Sequence, residues 1–219
     1  MRRRERVSLI LAAVLGYAVG SFPTADVAAR LARGSGSDLR REGSGNPGAM
    51  NAGSVLGHRW GYFVLIGDVL KGVAASCLGR AAAGDDGAYV AGAAAVAGHA
   101  YPPLKGFRGG KGVATSLGTA AICMPAYAPV DVAVAAVSYR ATSNGSRGPG
   151  EHADTGVPAW AGTFAATLTF VLAALATWRS GWTVLWGPKP SALLPVYAVA
   201  VSGIIFVRFL TGRGASSRK

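Results

Sequence analysis

The sequence predicts an all-α integral membrane protein: one polytopic domain over residues 1–219, with about seven transmembrane helices joined by glycine-rich cytoplasmic loops. Three observations predict it. Hydrophobic residues make up 51% of the chain and charged residues only 15%, with a mean hydropathy of +0.34, whereas soluble domains carry about a quarter charged residues. Apolar runs of roughly the 20 residues needed to cross a bilayer recur along the chain. The 32 glycines, set among alanine-rich runs, let helix surfaces approach closely without a bulky side chain between them. This composition excludes a disordered chain, a disulfide scaffold and a soluble enzyme.

The first apolar segment runs from Val7 to about Ala29, broken by Pro23 and carrying Asp26 near its end. A second extends from about Trp60 to Leu78, with Asp68 and Lys71 inside it. The third, Ala88 to Leu104, consists mostly of Ala, Val and Gly. Val113 to Tyr139 is apolar except for Asp131, and Pro125 and Pro129 divide it into two short helices with a tight turn. Val157 to Trp178 and Ser191 to Leu210 complete the set. The charged start, the apolar run and the small residues near Gly20 outline a signal peptide. A motif that begins inside that run argues for its retention as a span. Cys77 and Cys123 lie in apolar stretches without CxxC spacing, which reads as buried, reduced thiols.

The net charge of +12 is read toward lipid head groups or an anionic substrate, not nucleic acid, because the hydropathy is that of a membrane protein. If the helices alternate, Arg30, Arg33, Arg40, Arg41, Lys105, Arg108, Lys111, Arg140 and Arg147 share one side, and the positive-inside bias makes that side cytoplasmic. The arginines at positions 2, 3, 4 and 6 oppose this assignment.

Three glycine-rich clusters fall on that side. The first comprises Gly20-Ser21-Phe22-Pro23-Thr24 and Gly43-Ser44-Gly45-Asn46-Pro47-Gly48-Ala49-Met50-Asn51; the second is Gly106 to Ser116, built around Gly109-Gly110-Lys111-Gly112. The third, weaker, is Arg140 to Ser146. Glycines let backbone N–H groups converge on an anion, a following helix adds its positive end, and Lys111 adds a point charge. The pattern predicts a phosphate cradle at a membrane surface. It is not a nucleotide P-loop, since three residues, not four, precede the Gly-Lys pair and Gly112 stands where Ser or Thr is required. His99 reads either as a structural hydrogen-bonding group or as a base for a substrate hydroxyl. Asp68 and Lys71, three apart on one helix face, are expected to pair.

Four pieces in order resemble the membrane glycerol-3-phosphate acyltransferases that use acyl-phosphate as donor, the PlsY family. They are Gly20 to Thr24, Gly43 to Asn46 with Asn51, Asp68-Val69-Leu70-Lys71-Gly72, and Gly98-His99 leading into Phe107 to Thr115. Arg140, Ser143 and Ser146 are similar to the family's Arg-x-x-Ser-x-x-Ser stretch. The resemblance implies a seven-helix protein of the cell membrane with a cytoplasm-facing site, no metal and no cofactor. It implies acyl-phosphate and glycerol 3-phosphate as substrates, lysophosphatidic acid as product, and membrane lipid as partner. Gly109, Gly110, Lys111 and Gly112 are assigned to the acyl-phosphate, with Arg108 beside them and Thr115 and Ser116 as supporting donors. Ser44, Gly45, Asn46 and Asn51, backed by Arg41, contact glycerol phosphate or orient the cradle. Ser143 supplies a hydroxyl from the third loop, and Ser44, Asn46, His99, Lys111 and Ser143 form the catalytic set.

The family's C-terminal His-Arg-Glu-Asn-Ile motif is lost: Ser202, Gly203, Ile204, Ile205 and Phe206 stand in its places, and only Arg208, Leu210 and Gly212 remain. Ser54 stands where the family has Arg, and Met50 replaces Thr. Two other functions stay open on the sequence: a catalytically weak paralogue that binds a phosphorylated lipid or head group, and a small-anion transporter.

Overall fold

A computed structural model describes residues 3–130, 133, 159–183 and 185–211. Every regular element among these residues is helical. Helix α1 (Arg3–Gly20) ends where Pro23 lacks an N–H to continue it, and α2 (Thr24–Arg33) resumes the chain in a new direction. After a glycine-rich loop, α3 (Ala49–Leu56) forms a short helix bounded by Gly48 and Gly57.

Helix α4 (His58–Ala100) holds 43 residues, about 64 Å if straight at 1.5 Å per residue, twice a hydrocarbon core. It is not straight. Gly84 adopts φ 68°, ψ −159°, open to glycine alone, and the chain doubles back there. A Cβ on Gly79 would collide with the Gly87 carbonyl, and Gly92 lies against the Ser76 hydroxyl, so the two arms run as an antiparallel hairpin. The arms match the expected second and third segments. A loop with one 3₁₀ turn (Pro103–Lys105) leads to α5 (Val113–Cys123). Helices α6 (Ala159–Ser180) and α7 (Leu193–Thr211) follow. Of the seven expected segments, six correspond to these helices and arms; the other, at about 130–139, lies outside the described residues except for positions 130 and 133.

The Arg3–Arg33 pair, α4 and α7 are long and apolar enough to cross a membrane. Ile10, Val14, Ile66, Leu70, Val196 and Val199 are all more than half exposed, an arrangement suited to lipid rather than water. Small residues set the inner contacts. Gly16 and Gly20 of α1 sit on the backbone of Ala91 and Ala95, and Gly118 of α5 on that of Val69. A second core joins α4, α5, α6 and α7 through Tyr89, Cys123, Tyr127, Phe170, Tyr197 and Val201. There the Tyr197 ring meets Phe170 at 5.8 Å and the Thr119 and Tyr197 hydroxyls lie 2.7 Å apart. Cys123 is buried as expected, but Cys77 is exposed, because its side of α4 faces outward from the bundle.

At the turn of α4, the loop before α7 is tied down. Arg80 pairs with Asp85 at 3.0 Å and donates to the Trp186 carbonyl, while Ser191 donates to Asp86 at 2.5 Å. The opposite end of the hairpin, about 24 Å away along the second arm, carries the polar loops.

Candidate active site

The break between α1 and α2, the 34–48 loop and the 101–112 loop meet at the far end of the hairpin. They line one cleft with Ser21, Phe22, Thr24, Asp26, Arg40, Pro47, Asp68, Lys71, His99, Gly109 and Gly110. Lys71 Nζ lies 2.9 Å from Asp68 Oδ1, the pairing that their i, i+3 spacing predicts. It also donates to the Phe22 carbonyl at 3.2 Å, where the helix break frees that oxygen. His99 Nδ1 stands 3.6 Å from the same carboxylate, and all three side chains are buried. A buried charge in a membrane helix needs a partner, and here one acid serves two bases across the hairpin.

His99 supports the loop above it. Gly110 donates from its N–H to the His99 carbonyl at 3.2 Å, and Gly109 to the Ala100 carbonyl at 3.1 Å. This corrects one expectation. The amides of Gly109 and Gly110, assigned to a phosphate, are engaged by the end of α4, since the loop doubles back onto it. Arg208 of α7 holds the other side of these peptides, donating from Nε to the Gly110 carbonyl at 3.2 Å and from Nη2 to that of Gly109. Its guanidinium lies 5.5 Å from the Tyr101 ring centroid, and Lys111 Nζ sits 4.3 Å from that of Phe209. Gly112, at φ 89°, caps α5 without a side-chain hydrogen bond, so the amides of its first turn lack intrahelical acceptors.

The first loop is shaped by Asn51. Its side chain accepts from the Ser44 amide at 2.8 Å and donates to the Leu39 and Glu42 carbonyls at 2.9 and 3.0 Å. Asn51 therefore orients the loop, and Ser44 is left exposed on it, with Gly45 and Asn46 half-buried beside it. Arg41 is exposed, as is Arg108. Thr115 and Ser116 are corrected as well. Both are buried in the bundle, and the Ser116 hydroxyl donates back to the Val113 carbonyl at 2.8 Å. Ser143 lies outside the described residues.

Arg40, passed over in favour of its neighbour, is held by three separate residues. Its guanidinium reaches both Asp26 oxygens at 2.7 and 3.2 Å, Asp38 at 3.1 Å and the Arg108 carbonyl at 2.7 Å. Lys105 Nζ lies 3.5 Å from Asp26. For Arg40 burial works against the charge, but the hydrogen bond and charge of Asp26 outweigh it and raise its pKa. Burial likewise pushes Asp38 upward, yet hydrogen bonds from the Arg40 amide and guanidinium hold it below the ordinary 3.8. The Asp38 tie is thus complete above that value and is lost as pH falls through the lowered one.

At the positions where the family's C-terminal motif is expected, the side chains pack into the bundle. Ser202 donates to the Thr167 carbonyl of α6, and Ile205 packs near Gly112, where a Cβ would come within 3.6 Å of it. Among the described residues no group of three His, Cys, Asp or Glu could hold a metal ion.

A family model described as glycerol-3-phosphate acyltransferase matches residues 10–216. The glycerol-3-phosphate acyltransferase of Clostridioides difficile is 46% identical over 120 residues, 52% of this chain and 58% of that protein. That of Alkaliphilus metalliredigens is 37% identical over 128 residues, 58% of this chain and 65% of that protein. The matched stretch thus spans less than two thirds of these curated relatives. The crystal structure of PlsY, an integral membrane glycerol 3-phosphate acyltransferase, in its glycerol 3-phosphate form is similar over 97% of this chain and 94% of that one. Its TM-score is 0.60 at 28% identity. Its lysophosphatidic acid form is similar over the same shares, with a TM-score of 0.58 at 26% identity. With a family model running almost end to end and a solved membrane acyltransferase sharing its fold, the chain belongs to the glycerol-3-phosphate acyltransferase family.

Proposed function

We propose that this chain transfers a fatty acyl group from acyl-phosphate to glycerol 3-phosphate at the cytoplasmic face of the cell membrane. The products are lysophosphatidic acid and inorganic phosphate. The observation that carries this reading is the joining of two glycine-rich loops, each bearing cations, at one end of a membrane hairpin. The matched family and the two ligand forms of its solved member support it.

An acyl-phosphate is a mixed anhydride with a good leaving group, so a covalent enzyme intermediate is not required. The glycerol hydroxyl oxygen bonds to the acyl carbon, the carbon–oxygen bond to phosphate breaks, and the hydroxyl proton leaves with the products. The protein's task is to align two phosphorylated molecules and offset charge on the carbonyl oxygen and departing phosphate. Lys111, Arg108 and Arg41 supply positive charge, and the first turn of α5 adds its free amides. Ser44 and Asn46 offer hydrogen bonds from the first loop, which Gly45 and Asn51 shape, and Ser143 is assigned to the third. Gly109, Gly110 and Gly112 set the shape of the second loop. His99, buried beneath Gly110, supports that loop rather than taking the proton. Thr115 and Ser116 seat α5 against the hairpin.

Purified protein given palmitoyl phosphate and labelled glycerol 3-phosphate should form labelled lysophosphatidic acid, and Lys111→Ala should lose most of that activity. The replacement of the C-terminal His and Asn by Ser202 and Ile205 favours one second reading, a paralogue that binds the phosphorylated ligand and transfers little. Tight glycerol 3-phosphate binding without product would select it.

A further inference from the structure

Arg40 occupies the junction of three separate pieces of chain. Asp26 belongs to α2, Asp38 and Arg40 itself to the 34–48 loop, and the Arg108 carbonyl to the 101–112 loop. A guanidinium carries five N–H donors in a rigid plane. Four are engaged here: Nε on Arg108, one Nη1 hydrogen each for Asp26 and Asp38, and one Nη2 hydrogen on the second Asp26 oxygen. The Arg40 and Asp26 side chains are only 15% and 12% exposed. A fork committed to protein acceptors on four sides is poorly placed to grip a phosphate. It is well placed to fix the distance between two loops.

We infer that Arg40 is a positioning residue for acyl transfer: anchored on Asp26, it holds the 34–48 loop against the 101–112 loop without touching either substrate. The inference rests on the acyltransferase reading for its effect on turnover, though not for the geometry it invokes. Each loop carries its own hydrogen-bonding and charged groups, so each retains its ligand when the bridge is cut. What fails is their mutual alignment, on which a two-substrate transfer depends; a misplacement of about 1 Å lowers such a rate by roughly a hundredfold.

The decisive variant is Arg40→Lys, with Arg40→Ala beside it. A lysine restores charge next to Asp26 but offers one ammonium in place of the planar fork, so it cannot also span to the Arg108 carbonyl. Two readouts are taken on the full-length protein in vesicles. One is steady-state transfer from palmitoyl phosphate to glycerol 3-phosphate. The other is the distance between spin labels on Ser35→Cys and Leu104→Cys, both exposed, with Cys77→Ser in the background. Arg40→Lys should melt close to the unsubstituted protein, keep KM for both substrates within about threefold, lose roughly a hundredfold in kcat, and broaden the label distance. Arg40→Ala should do the same with a lower melting point.

Unchanged kcat in Arg40→Lys overturns the inference. So does lowered kcat with an unchanged label distance, and so does failure of Arg40→Lys to fold, which would assign the residue to stability alone. If the parent protein makes no lysophosphatidic acid while the labels still spread in Arg40→Lys, the acyltransferase reading fails and the bridging role stands.

Discussion

The imidazole of His99 fills the space in which a side chain on Gly110 would stand: a Cβ built there lands on Nε2 and Cε1 of the buried ring. Gly110→Ala should therefore destabilise by about 1–3 kcal/mol, the usual range for an overpacked site, and lower activity with it. The cost should shrink when His99→Ala makes room. Thermal unfolding in detergent of the two single variants and the double gives the coupling, and additive effects would contradict the contact.

A second close approach joins α1 to the second arm of α4. Gly20 sits on the backbone of Ala95, with no flexible atom to move aside. Gly20→Val should separate α1 from the second arm of α4 and lower the melting temperature by several degrees. Gly34→Ala, at an open site where only a positive φ is disturbed, should cost less. Parallel melts of the two proteins check the order.

Asp68 and Lys71 form a pair enclosed by the hairpin. Removing Lys71 leaves the buried Asp68 carboxylate facing His99 alone, a loss of up to about 3–5 kcal/mol. Lys71→Met alone should show that loss, whereas Lys71→Met with Asp68→Leu should recover most of the folding stability. His99 loses its carboxylate in the double variant, so turnover should stay low even where stability returns. Chemical denaturation beside the transfer assay separates the two effects.

Arg208 grips the Gly109 and Gly110 carbonyls from outside the hairpin. Arg208→Lys keeps the charge and loses the fork. Giving up one hydrogen bond to these peptides, about 1–1.5 kcal/mol, corresponds to roughly a tenfold drop in kcat if the loop's shape limits transfer. Steady-state kinetics with the variant measure it directly.

Much of the arrangement is legible in the sequence, for identifiable reasons. Pro23 and the glycine clusters mark where helices stop, and the i, i+3 spacing of Asp68 and Lys71 forces their pairing inside an apolar helix. Long-range choices are less visible. Arg40 and Arg41 are chemically equal neighbours, and the partners that hold Arg40 inward, Asp26 fourteen residues earlier and the Arg108 carbonyl far along the chain, are not marked by local spacing. That the Gly109 and Gly110 amides bind Ala100 and His99 depends on how tightly the loop folds back, which the glycine spacing leaves open. The contact between His99 and Asp68 exists only because Gly84 reverses the chain between them.

Every described residue lining the cleft lies between positions 20 and 110. A ribosome therefore finishes the walls of the chamber while the last two described helices are still untranslated. Arg208 and Phe209 arrive afterwards, as a latch closing on a chamber already assembled. Truncations that remove α7 should then leave the cleft's lining in place but unlatched.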